Sequence, residues 1–130
     1  MTKYIGIPFE DRGQSLSGAD CYGLLRLIFK EDCQIDIPEF LASCHSSKAI
    51  FSDYLKQISE YWEPVSNFKK YDVVAMSHDP SHPSMVQHFG LYIGNGLMLH
   101  TLENIGSHIV ELNTMNYYIK GVYRWKNQLN

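Results

Sequence analysis

The sequence is poor in charge: only 19% of its 130 residues are Asp, Glu, Lys or Arg, and the 11 basic ones form no run. With a formal net charge of -3 and a pI near 6.0, the chain lacks the clustered Lys and Arg that phosphate recognition needs, so no nucleic-acid partner is expected. Long hydrophobic runs are missing too. Nothing approaches the roughly 18 consecutive apolar residues that cross a bilayer, and the start, MTKYIGIPFEDRGQ, has no basic segment followed by an apolar one. Neither a membrane span nor an export signal is expected.

Cysteine is scarce and odd in number, Cys21, Cys33 and Cys44. That argues against a disulfide framework and for free thiols in a protein made in the cytoplasm. A C-x-x-C pair is absent, and the neighbours Cys44 and His45 should point in different directions, so the 6 histidines do not suggest a zinc site. No metal or organic cofactor is expected. Repeats, low-complexity tracts and linkers are also lacking, and a chain of this length buries one core and not two. Residues 1–130 are therefore read as a single domain.

What is present reads as helices first and strands second, an α+β order. Cys21, Leu24, Leu25 and Ile28 form an apolar stripe at helical spacing, with Asp20 before it as N-cap. A second helix is expected from about Ser47 to Tyr61, with Ile50, Tyr54, Leu55, Ile58 and Trp62 as its apolar face; Ile35 to Pro38 reads as an extended connection. Strands are expected over Val73 to Met76, Val86 to Ile93, Leu97 to Thr101, His108 to Leu112 and Val122 to Trp125.

Cys21 is the residue most suggestive of chemistry. A thiol in the first turn of a capped helix sits at the positive end of the dipole, which favours the thiolate, and Gly23 allows close approach to that turn. The plain alternative is a small core residue on an apolar stripe. Two histidines bear on the choice. If Gly94 to Gly96 form a three-residue loop, Ile93 pairs with Leu97, and His88 and His100 become diagonal neighbours on one face, Cα atoms roughly 7–8 Å apart, with Gly90 leaving space beside them. A two-residue Asn95-Gly96 turn would put them on opposite faces. His45, His78, His82 and His108 are expected to face solvent, and Cys33 and Cys44 to be bystanders.

Two long stretches then resemble a known family. GIPFEDRGQSLSGADCYGLLRLIF is similar to the nucleophile segment of NlpC-type cell-wall peptidases, and QHFGLYIGNGLMLHT to their paired strands carrying the base and a third polar residue. Between and after them, KKYDVVAM and GVYRW resemble two further strands of that family. The resemblance implies a papain-like NlpC fold, N-terminal helices on an antiparallel sheet. It implies Cys21 as nucleophile, His88 as general base and His100 as the group orienting His88, with Asp20, Phe9 and Tyr22 on the substrate side. Phe9 stands where many members have a Tyr, removing one hydroxyl donor, and Tyr22 where many have Ser. The implied reaction is cleavage of a γ-D-glutamyl to diamino acid bond in peptidoglycan stem peptides. The spelling is closest to members in bacteriophage tail tips, which implies a virion setting and other tail proteins as partners. The rival readings are a non-catalytic tail module and a papain-like amidase or acyltransferase on another amide or a lipid.

Overall fold

The computed structural model describes residues 1–40 and 42–126. Two helices, α1 (Cys21–Cys33) and α2 (Ser47–Tyr61), share one hydrophobic core with an antiparallel sheet. A short hairpin of β1 (Gln14–Ser15) and β2 (Gly18–Ala19) precedes α1. The sheet comprises β3 (Trp62–Pro64), β4 (Val73–Met76), β5 (His88–Gly94), β6 (Leu97–Leu102), β7 (Gly106–Glu111) and β8 (Ile119–Trp125). Their order across it is β3-β8-β4-β5-β6-β7, antiparallel throughout. This is the α+β arrangement expected from the sequence.

The helices form where capping and periodicity place them. Asp20 accepts from the Gly23 N–H and Ser46 from the Ala49 N–H, satisfying amides that a helix start leaves unpaired. The α1 stripe buries Leu24, Leu25, Ile28 and Phe29 in one cluster with Leu91 and Leu99 of the sheet. Alternation along β4 sends Val73 and Ala75 into that core and Val74 and Met76 into a smaller cluster with Met98 and Val122.

Three expectations need correction. The β1/β2 hairpin comes before α1, so strands do not all follow helices; two-residue strands carry no periodic signal. Trp62 does not extend the face of α2: its backbone is extended, at φ -125 and ψ 149, and it opens β3 opposite Trp125. The gain there is aromatic, since Trp62 packs edge-on against Trp125 at 5.2 Å and against Phe29 at 5.8 Å. Leu55, also assigned to the buried face of α2, is 53% exposed.

At the junction of β4 and β8 lies a buried ion pair. Asp72 is 0% and Arg124 8% exposed, and the guanidinium donates from Nε and a terminal nitrogen to the two carboxylate oxygens, each at 2.8 Å. The same carboxylate accepts from the Lys69 N–H at 2.7 Å, and Arg124 also donates to the Asn67 carbonyl at 2.9 Å. Asp72 thus fastens the turn before β4 to β8. Asp72→Ala leaves a guanidinium buried without its partner, and should lower unfolding free energy by about 3–5 kcal/mol in urea titrations.

Candidate active site

The start of α1 is held from both sides. One Asp20 oxygen accepts from the Gly23 N–H at 2.7 Å and the other from the Arg12 N–H at 2.8 Å, so both are committed to backbone. A side chain at position 23 is excluded, because its Cβ would lie 1.8 Å from the Gly13 carbonyl oxygen. These constraints put Cys21 in the first turn of α1, buried.

Burial, followed by the neighbouring Asp20 carboxylate, pushes the thiol up to about 12, against the pull of nearby backbone amides. Burial thus opposes the helix dipole, which favours the thiolate.

His88 and His100 meet through a route that the two sequence alternatives did not include. The connection is the two-residue turn, with Gly94 paired to Leu97, but an irregularity at Ile93 restores the other register, so that Tyr92 pairs with Met98 and Leu91 with Leu99. The extra residue in β5 is a β-bulge. It returns the histidines to one face, where His88 Nε2 and His100 Nδ1 are 2.9 Å apart. The space over Gly90 is not left to the imidazoles; Met98 fills it, its sulfur 2.5 Å from where a Cβ would stand.

Two more rings extend this pair into a row. His78 packs edge-on against His88 at 4.5 Å, and His108, the cross-strand partner of His100, lies 4.6 Å from it. His108 is half-buried and so is not the surface residue the sequence suggested, whereas His78 is exposed as expected and still meets the His88 ring. The β6–β7 register could have revealed His108. His78 had no local signal, because the side chain of Gln87 seats its loop by accepting from the His78 N–H at 2.8 Å and donating to the Met85 carbonyl at 2.8 Å. Burial, followed by repulsion from the neighbouring imidazoles, lowers His88 well below the ordinary 6.5 and His100 to about 4. His78 is lowered too, by burial. His82 pairs with Asp79 at 3.0 Å, and His45 stands exposed between Asp11 and Glu103.

Two cavities flank Cys21. One, of about 350 Å³, brings Cys21 together with His88, His78, Phe9 and Gln87. The other, of about 200 Å³, runs from Cys21 past Asp20 and Tyr22 to Arg12, Gln14 and Glu39. Tyr22 is fixed as a wall, donating to the Pro38 carbonyl at 2.7 Å and stacked on Phe40 at 3.7 Å. His100 sits behind His88 rather than on the first cavity. Cys44, expected to be a bystander, lines both cavities. Its sulfur, the His45 ring and the Asp11 carboxylate also converge within 4.8 Å, correcting the expectation that adjacent ligands diverge. Cys33 lies at the end of α1, away from either cavity.

Residues 6–125 match the NlpC/P60 family. No protein of curated function matches the chain in sequence. Among solved structures, NlpC2 from Trichomonas vaginalis superposes with a TM-score of 0.73 at 17% identity, covering 95% of this chain and 44% of that one. The chain therefore spans less than half of that protein. The NlpC/p60 domain of the peptidoglycan hydrolase SagA gives 0.65 at 18% identity, covering 95% and 91%. The peptidoglycan hydrolase RipB from Mycobacterium tuberculosis gives 0.63 at 22% identity, covering 95% and 59%. At these identities the likeness is one of fold. Among the described residues no helix is long and apolar enough to cross a membrane.

Two outcomes follow from the buried, neutral site. Because the folded histidines resist protonation while the unfolded chain takes up protons near 6.5, stability is full above that pH and declines as pH falls toward the lowered folded values. Melting temperature should therefore drop between pH 6.5 and 4, and His100→Asn should flatten the drop. Cys21 alkylation by iodoacetamide, followed by mass spectrometry, should be slow at neutral pH and still rising above pH 9; a plateau below pH 7 would show a thiolate already formed at rest.

Proposed function

The chain belongs to the NlpC/P60 family, and from that premise we propose that it is a cysteine peptidase domain acting on the stem peptides of peptidoglycan. The observation that carries this reading is the 2.9 Å contact between His88 and His100 directly behind a cavity that His88 shares with Cys21. With its Nε2–H donated to His100 Nδ1, His88 keeps the Nδ1 lone pair for the thiol proton, and His100 fixes the ring. Cys21 then attacks the substrate carbonyl, backbone amides at the start of α1 receive the oxyanion, and His88 returns the proton to the leaving amine. Water hydrolyses the acyl-enzyme. In this reading proton transfer belongs to the substrate-bound state, because burial favours the neutral thiol and the neutral imidazole at rest.

The scissile bond is the one between γ-D-glutamate and the diamino acid. A thiolate is an acyl-transfer nucleophile, and the sugar backbone, whose hydrolysis generally calls for paired carboxylates, is not its target. Asp20 serves by holding the start of α1, Tyr22 by walling the second cavity and Phe9 by lining the first, without the hydroxyl that a Tyr would offer. The setting we assign is a bacteriophage tail tip, beside other tail proteins and made in the bacterial cytoplasm. It is supported by the motif spelling around Gly6-Ile7-Pro8-Phe9 and Asp20-Cys21-Tyr22-Gly23. A second reading, a tail module that does not catalyse, is favoured by one observation, the burial of Cys21 at 7% exposure.

Mass spectrometry of muropeptides after incubation with purified sacculi separates these readings. Shortened stems on intact glycan are expected from the wild type. Cys21→Ala should yield none, His88→Ala should be slower by roughly 10²–10⁴-fold, and His100→Ala should retain more activity than His88→Ala. Uncut stems with released sugars, or digestion by Cys21→Ala equal to wild type, would defeat the peptidase assignment. No action on sacculi, with tails assembled normally by both proteins, would favour the structural module.

A further inference from the structure

At the rim of the His88 cavity, three segments distant in sequence converge on a set of donors that the proposed hydrolysis does not use. Asp11 comes from the loop before β1, Cys44 and His45 from the connection between the helices, and Glu103 from the turn after β6. The carboxylate of Asp11 is oriented by the Cys44 N–H at 2.9 Å and the Ser43 hydroxyl at 2.7 Å. His45 Nε2 hydrogen-bonds Glu103; when the neutral ring donates from that nitrogen, its Nδ1 carries a lone pair. That Nδ1 faces Asp11 Oδ2 at 3.8 Å. One oxygen of Asp11, the sulfur of Cys44 and a ring nitrogen of His45 all lie within 4.8 Å of one another.

We propose that Asp11, Cys44 and His45 form a binding site for zinc, or another thiophilic divalent cation, at the rim of the cavity that holds Cys21 and His88. Donors around a tetrahedral zinc, at bond lengths of about 2.0–2.3 Å, are spaced by about 3.2–3.8 Å, so only a small contraction closes the set. Sulfur, imidazole and carboxylate together select zinc over magnesium or calcium, which take oxygen ligands. The Glu103 carboxylate on the far nitrogen of His45 is the partner that metal-bound histidines ordinarily have. Side-chain exposure of 62% at His45 and 34% at Asp11 gives an ion access. As the sulfur–metal bond forms, the Cys44 thiol proton passes to solvent. Three protein ligands leave the fourth position to water or to a group of whatever occupies the cavity. A filled site pins the loop before β1, the inter-helix connection and, through Glu103, the β6–β7 turn to one another, so it stiffens the rim of the cavity.

The site is independent of the catalytic reading, and its test removes the proposed nucleophile. Cobalt(II) titrated into the folded Cys21→Ala protein should give a near-ultraviolet sulfur-to-cobalt charge-transfer band. The band should be lost in Cys21→Ala/Cys44→Ser, and affinity should fall in Cys21→Ala combined with Asp11→Asn or with His45→Ala. Glu103→Gln in the same background should weaken binding by about tenfold. Zinc should raise the melting temperature of Cys21→Ala and not of Cys21→Ala/Cys44→Ser. Circular dichroism checks that each variant folds; His45, exposed on its loop, can be removed without opening the core. Absence of the band in folded Cys21→Ala, its survival without Cys44, or unchanged affinity without His45 would overturn the proposal. None of these readouts depends on turnover, so failure of the peptidase assignment would leave them intact.

Discussion

The contact between His88 and His100 depends on a single extra residue in β5. In a regular ladder closed by the turn at Asn95 and Gly96, alternation would send the two rings to opposite faces of the sheet. The bulge at Ile93 cancels that shift, and the pairs below it, Tyr92 with Met98 and Leu91 with Leu99, run in the register that unites the rings. The same correction keeps Leu91 and Leu99 in the core with α1 and brings Met98 over Gly90. Packing on one face and imidazole geometry on the other are thus set by one irregularity. A change that removed it would disturb both together.

Burial sets the resting charge state of the site. Cys21 is enclosed between α1 and β5, His88 is covered by His78 and backed by His100, and His100 abuts His108. Each charged form would be taken from water into poor surroundings, and the imidazoles disfavour protonation of one another. In the proposed reaction an entering substrate carbonyl alters this balance, because charge that develops on an oxygen beside the unpaired amides at the start of α1 offsets the cost of the imidazolium.

Much of this arrangement was legible because it rests on local rules. Asp20 before an apolar stripe marked the start of α1, and the periodicity around Ile50 and Tyr54 marked α2 over the span observed. Val73 to Met76 read directly as a strand. What escaped was decided by contacts between distant segments. Trp62 continues a helical pattern in sequence, yet pairing with Trp125 across β3 and β8 outweighs it. The Ile93 bulge has no spelling that distinguishes it from a longer loop. Cys44 has neither a cap nor a periodic neighbour, and only the folding of Asp11 toward the inter-helix connection brings its thiol to the site. His78 reaches His88 through a loop whose conformation is held by Gln87, a residue that is unremarkable in isolation. The environment of the thiol was legible only in part: a cap and a dipole can be read from sequence, but the depth of burial that opposes them cannot.

The position of Cys21 between two cavities follows from these constraints. The start of α1 is fixed because Gly23 lies against the Gly13 carbonyl and Asp20 grips the Arg12 amide. In the proposed reaction, chain passing over Cys21 meets the cavities on both sides. The His88 side offers imidazoles, Phe9 and the Gln87 amide, while the other offers Arg12, Gln14 and Glu39 beside the Tyr22–Phe40 stack. The two sides differ in chemistry, so an extended ligand can be told from its reverse. In the proposed reaction the fixed helix start supplies the reacting centre and the flanking loops supply direction, a division that lets loop residues vary without moving the sulfur.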